Sequence, residues 1–165
     1  MSDINLAGLK DSALFIGMSD AEIKALEKIF SIRKIPEGKT IFIENMPGES
    51  LYLIKQGTVR ISRMLAEGDE QVLIVLGPDD VFGEMAVLDG GKRSATARIA
   101  EDVVLYGMCR DDFEKLTEQN PKLGLKLTLN IVRIFSGRVR DSQKDYRAML
   151  LASLNRDKKP GAKKA

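Results

Sequence analysis

The 165-residue chain has no histidine, no tryptophan and a single cysteine, Cys109. Each absence closes off a kind of chemistry. Without histidine there is no Ser-His or Cys-His catalytic pair and no imidazole metal ligand. One cysteine cannot make an internal disulfide or a cysteine-rich zinc site. The sequence contains no run of about 18 apolar residues, so no transmembrane helix is predicted. The N-terminal stretch is charged and lacks the apolar segment of a signal peptide, which makes a cytoplasmic protein the expectation. The 44% hydrophobic and 30% charged fractions are those of one globular domain with a hydrophobic core.

The net charge of +2 is unevenly divided. Residues 156–165 carry Arg156, Lys158, Lys159, Lys163 and Lys164 against Asp157, a net +4. The remaining 155 residues hold 21 basic and 23 acidic groups and are slightly acidic, at −2. The basic end reads as a solubilising, flexible tail over 155–165.

A first helix is predicted over 19–30. Ser19 with Glu22 forms a capping box, and Ile23, Leu26, Ile29 and Phe30 recur at helical spacing. Leu14, Phe15 and Met18 lead into it and are expected to pack beneath it. From 32 to 109 short apolar runs alternate with turn signals. Expected strands lie at 40–43, 51–55, 59–64, 71–76, 95–99 and 103–108, with Gln56-Gly57 as a turn. Val59, Ile61 and Arg63 should share one face, with Arg60 and Ser62 on the other. Such short, regularly punctuated strands indicate an antiparallel roll or barrel. Asp111 or Asp112 is expected to cap a helix over 113–119, and Asn120-Pro121 restarts a second, long helix to about Leu154. That helix has two apolar stripes. One is Leu123, Leu127, Ile131 and Ile134; the other is Leu125, Leu129, Val132, Phe135 and Val139. Two faces need two partners, and a homodimer through residues 121–154 is the expectation. Asp79-Asp80 and Asp111-Asp112 read as turn and cap residues, and Met64, Met85 and Met108 as core fillers.

The chemistry concentrates between Phe82 and Ala97. Gly83 permits an unusual backbone angle, and Glu84 to Leu88 can form a helical turn whose first amides suit an anion. Asp89-Gly90-Gly91 closes a loop that returns Arg93 to the same place, with a guanidinium fork for phosphate oxygens. Ser94 adds a hydroxyl donor, and Glu84 can hold sugar hydroxyls. One acceptor, exposed amides and one guanidinium suit a singly charged sugar phosphate; a triphosphate would want more charge and a metal. The plain alternative is an ion pair between Glu84 and Arg93.

Residues 14–140 resemble the cyclic-nucleotide-binding domain family, which includes the sensor domains of the catabolite activator protein and of protein kinase A regulatory subunits. The resemblance lies in the lead-in from Leu14 to Ser19, in Gly38, Gly48, Gly57 and Gly77 at turns, and in Phe82-Gly83-Glu84 in register with Arg93-Ser94-Ala95-Thr96. It implies an α+β fold: an antiparallel β-roll (a jelly-roll-like double-stranded β-helix) flanked by an N-terminal helix and a long C-terminal helix. It implies that Arg93 binds a cyclic phosphate and Glu84 a ribose 2′-hydroxyl. Gly83, Glu84, Met85, Ala86, Ser94 and Ala95 complete the cradle. In the activator a Thr-Ser pair on the long helix touches the adenine. Counting from Asn-Pro, Arg138 and Val139 take those places, which adds Arg138 as a candidate to accept a guanine edge, stack on a base or face solvent.

The expected function is therefore reversible, non-enzymatic binding of a cyclic nucleotide, with cyclic AMP favoured and cyclic GMP second. No cofactor and no metal are expected. The segment after Arg140 does not fit a helix-turn-helix domain, so the reading is a stand-alone sensor that signals to an effector protein. The competing reading is a nucleotide-independent β-roll used for dimerisation or docking. The expected organisation is an N-terminal extension over 1–12, the domain over 13–154 and the tail.

Overall fold

A computed structural model describes residues 4–66 and 68–157, with side chains as far as Leu154. Two short 3-10 helices, Ala7–Leu9 and Ala13–Phe15, precede α1, Asp20–Leu26. The capping box at α1 is formed. Ser19 Oγ accepts from the Glu22 amide at 3.2 Å, and Glu22 Oε2 accepts from the Ser19 amide at 2.8 Å. The helix stops at Leu26, short of Phe30.

Strands β1 (Ser31–Ile35), β2 (Thr40–Phe42), β3 (Ser50–Ala66), β4 (Asp69–Leu76) and β5 (Val81–Phe82) follow. Then come α2 (Glu84–Asp89), β6 (Thr96–Cys109), α3 (Arg110–Gln119) and α4 (Pro121–Asp157). All pairings are antiparallel, in the order β1-β6-β3-β4, with β2 on β6 and β5 on β3. This is the expected α+β roll with flanking helices.

Over 51–54 and 105–108 the two central strands are buried on both faces, and alternate side chains serve two cores. Leu51 and Leu53 of β3, with Tyr106 and Met108 of β6, pack against the helices. Tyr52 and Ile54, with Val103 and Leu105, point into the roll among Val59, Leu76, Phe82, Ala97 and Ile99. The helix-side core also takes Leu14, Phe15, Ile23 and Leu26, together with Leu123, Leu127 and Ile131 of α4. Leu6 and Leu9 lie in the same core, so the segment read as an extension is docked from Leu6 onward.

Several expected breaks are absent. The runs at 51–55 and 59–64 form one strand through Gly57, and those at 95–99 and 103–108 form one strand through Asp102. Gly57 has φ +82°, and a Cβ there would lie 2.1 Å from the Asp102 carbonyl oxygen. The glycine makes a bulge in a continuous strand, not a turn between two. A second irregularity in the β3–β4 ladder lies opposite Ile61 and Ser62, where β4 steps from Ile74 to Val72. Ser62 is fully buried and donates to Glu70 Oε1. Met64 is exposed on this hairpin and fills no core.

Neither Asp111 nor Asp112 caps α3. Cys109 occupies that position, and its thiol donates to Asp112 Oδ2 at 3.0 Å. Burial pushes this thiol above its ordinary range, and the bond to Asp112 adds to the effect. α4 starts at Pro121 as expected and extends three residues beyond Leu154. The remainder of the expected tail, 158–165, lies outside the described residues. Among the described residues no helix is long and apolar enough to cross a membrane.

Candidate functional site

The segment from β5 to β6 is built around two residues of opposite charge held by different neighbours. Gly83 precedes α2 with φ +75°, a left-handed conformation that glycine adopts without strain. A Cβ on Gly83 would lie 2.7 Å from Arg93 Nη1 and 2.9 Å from the Ser50 carbonyl oxygen, so the position also needs the space. Glu84, Met85 and Ala86 form the first turn of α2, whose amides have no acceptor within the helix.

Arg93 is pinned on both backbone sides. Its amide donates to the Met46 carbonyl at 2.8 Å, and its carbonyl accepts from the Asn45 amide at 2.8 Å. The side chain is almost wholly buried. Nη1 donates to the Ser50 carbonyl at 2.8 Å and to the Gly83 carbonyl at 3.1 Å. The guanidinium carbon stands 4.0 Å from the centroid of the Phe42 ring. Arg93 Nε is buried and has no acceptor among the described residues. Burial draws this guanidinium below its ordinary range, and Tyr52 and Glu84 oppose that shift. It remains a cation.

Glu84 does not pair with Arg93. Its carboxylate, 7% exposed, accepts from Arg138 Nη1 at 3.1 Å. Arg138 Nη2 also donates to the Val81 carbonyl. The plain Glu84–Arg93 ion pair is thereby replaced by a pair that reaches from α4 to α2. Ser94 is exposed, and its hydroxyl meets Met85 Sδ at 3.6 Å. Ala95 is buried where the segment enters β6.

The structure thus gathers Gly83, Glu84, Met85, Arg93, Ser94 and Arg138 on one side of the roll. Sequence reasoning missed four contributors. Phe42 underlies Arg93, and the Ser50 and Val81 carbonyls orient the two arginines. At Gly48 a Cβ would lie 2.6 Å from Arg93 Nε and 2.5 Å from Ala86 Cβ. Gly48 was legible only as a turn residue, and a carbonyl acceptor leaves no mark in a sequence.

Arg93, Arg138 and Glu84 together carry one net positive charge, matched to a singly charged anion. The surplus cation is buried and has an N–H to spare, while Glu84 lies within the same short segment. These elements define a β-roll domain with a charged segment set between β5 and β6.

The profile of the cyclic nucleotide-binding domain matches residues 32–120, and the chain belongs to that family. It is 38% identical over 125 residues to a cyclic AMP receptor protein of Thermus thermophilus, covering 76% of this chain and 58% of that one. The chain thus spans less than two thirds of that relative's length. A cyclic nucleotide-binding domain from Methylobacillus flagellatus superposes with a TM-score of 0.77 at 25% identity, over 96% of this chain and 84% of the other. The regulatory domain of Toxoplasma gondii protein kinase A, crystallised with cyclic AMP, gives a TM-score of 0.60 at 30% identity. That match covers 66% of this chain and 41% of the other.

Proposed function

We propose that this domain binds a 3′,5′-cyclic mononucleotide reversibly and without chemical change, with cyclic AMP preferred over cyclic GMP. The observation that carries the reading is Arg93: a buried cation whose Nε has no acceptor among the described residues, with four carbonyl and amide bonds fixing it and Glu84 in the same segment. A buried donor without an acceptor is costly, and a phosphate oxygen would relieve it. Glu84 uses Oε1 for Arg138 and keeps further lone pairs for a ribose hydroxyl. The Thermus relative's name and the Toxoplasma complex both point to cyclic AMP as the ligand class.

In this reading the domain is regulatory. Ligand bound to α2 is felt by α4 through Arg138, and the size of the response is set by the difference in affinity between two arrangements. A second copy covers the exposed apolar stripe of α4, and an effector protein receives the signal. The exposed stripe equally suits a nucleotide-independent docking module, so the deciding measurement is ligand-dependent stability. Cyclic AMP at 100 times its dissociation constant should raise unfolding free energy by ~2.7 kcal/mol. Arg93→Glu should abolish that gain while the circular dichroism spectrum is retained. No thermal shift with millimolar cyclic AMP, GMP or CMP leaves the docking reading in its place.

A further inference from the structure

A cavity of about 230 Å³ opens at the end of the roll where β1 and β3 begin and β6 ends. The strand register explains it. Tyr52 of β3, Gly107 of β6 and Ser31 of β1 stand opposite one another, so one row of the sheet face has no side chain at its centre. A Cβ on Gly107 would lie 3.2 Å from Tyr52 Cε1 and 3.4 Å from Ser31 Oγ. Ser50, Cys109 and Arg33, each two residues along its strand, share that face and extend the walls. The turn Lys28–Phe30 closes one rim, and Asp112 in the first turn of α3 closes the other. Cys109 and Asp112 are satisfied by each other through the 3.0 Å bond from the thiol. Lys28 and Arg33 are exposed cations, and among the described residues no carboxylate forms an ion pair with either. The Arg33 guanidinium carbon stands 5.8 Å from the centroid of the Tyr52 ring.

We infer that this cavity is a second binding site, separate from the one at Arg93, for a small organic monocarboxylate. None of Gly83, Glu84, Arg93, Ser94 or Arg138 lines it. Lys28, Arg33 and Asp112 give the lining one net positive charge, which matches a monoanion, while a dianion would meet the Asp112 carboxylate. The Arg33 fork suits both oxygens of a carboxylate, and Lys28 adds a point charge beside it. Tyr52 and Phe30, both almost wholly buried, supply an apolar wall for the body of the ligand. The volume sets the size. A cavity of about 150 Å³ takes a benzene ring, and pockets for drug-sized ligands start near 300 Å³. This one has room for a single ring with its carboxylate and is too small for a nucleotide.

Amide NMR spectra of the full chain titrated with sodium benzoate, against sodium chloride at equal ionic strength, test this. Saturable shifts should appear at the amides of Ser31, Arg33, Gly107 and Cys109, with a dissociation constant on the order of 1 mM, the scale for so few non-hydrogen atoms. Acetate keeps the carboxylate but lacks the ring and should bind at least about fivefold more weakly. Inorganic phosphate, as the dianion, should not saturate where benzoate does. Arg33→Gln removes the fork at an exposed position and should weaken benzoate at least about tenfold; Lys28→Gln should weaken it about threefold. Arg93→Glu should leave benzoate binding within about twofold, so the result does not depend on whether the chain binds a nucleotide. Shifts that grow linearly with benzoate, that chloride reproduces, or that survive Arg33→Gln unchanged overturn the inference. Shifts centred on Gly83 to Ser94 and lost in Arg93→Glu overturn it by placing benzoate at the other site. Phosphate bound as tightly as benzoate overturns the assignment to a monocarboxylate.

Discussion

From Pro121 to Arg138, α4 is fastened to the rest of the chain. Leu123, Leu127 and Ile131 enter the helix-side core, and Lys126 Nζ meets both oxygens of Glu22 at 2.8 Å. Asn130 is almost wholly buried and donates at 2.9 Å to the carbonyls of both Leu14 and Ile16. From Val139 to Leu154 every described side chain is exposed, including Tyr146, Met149, Leu150, Leu151 and Leu154. The backbone is one helix throughout. The contrast shows that helix continuity and side-chain burial are separate properties. The first part draws its stability from the fold. The second has apolar surface that the described residues do not cover, and short isolated helices are marginal in water. Leu125, Leu129 and Val132 carry the same uncovered stripe back along the fastened part, so the two regions also share a face.

The largest expected effect breaks the contrast at its core. Leu127→Ala should lower unfolding free energy by ~2–5 kcal/mol in urea titration. Leu129→Lys, two residues along on the opposite face, should change it by less than about 0.5 kcal/mol when the chain is dilute. The same Leu129→Lys variant should convert a dimer mass to a monomer mass in light scattering. Equal destabilisation by both changes would mean that the exposed stripe is already covered within the chain.

A smaller effect is expected at Asn130. Its alanine variant leaves the buried Leu14 carbonyl and the part-buried Ile16 carbonyl short of a donor and should cost about 1–3 kcal/mol. The loss should be accompanied by faster amide exchange around Leu14 and Ile16. Exchange unchanged there would show that apolar packing alone holds the N-terminal segment to α4.

The smallest effect is electrostatic. The bond from Lys126 holds the Glu22 carboxyl below its ordinary value near 4.5, helped by the Ser19 amide. Its folded value is lower than its unfolded one, so the stabilisation is present above about pH 4.5 and is lost as pH falls through the lowered folded value. Lys126→Met should flatten the acid side of the stability curve, by a small amount because the pair is solvent-accessible. A melting curve with an unaltered slope below that pH would assign the acid dependence to Glu44 and Glu70, whose carboxyls are also held low, by Arg63 and by Ser62 respectively.

Local chemistry made much of this molecule legible in advance. Ser19 with Glu22, and Asn120 with Pro121, mark helix starts that depend only on near neighbours. The Phe82-to-Thr96 segment was readable because its glycines, Glu84 and Arg93 lie within a few residues of one another. The errors share a cause. Gly57 can serve a turn or a bulge, and Asp102 on another strand decides which. Ser62 is fully buried and bonded to Glu70 of the neighbouring strand, a cover that no alternation rule foresees. Arg138 lies 54 positions from Glu84, and the rotational setting of α4 alone decides whether it meets a carboxylate or a base.

The length of α4 has a mechanical consequence. At 1.5 Å per residue, the 17 residues beyond Arg140 form a rod of about 25 Å whose root lies two residues from the Arg138–Glu84 contact. Once its exposed apolar face is covered, such a rod magnifies motion at its root. A tilt of about 10° there would carry the far end about 4 Å sideways, more than the reach of a hydrogen bond. On the proposed binding reading, α4 would serve as a lever whose fulcrum lies beside Glu84 and Arg138.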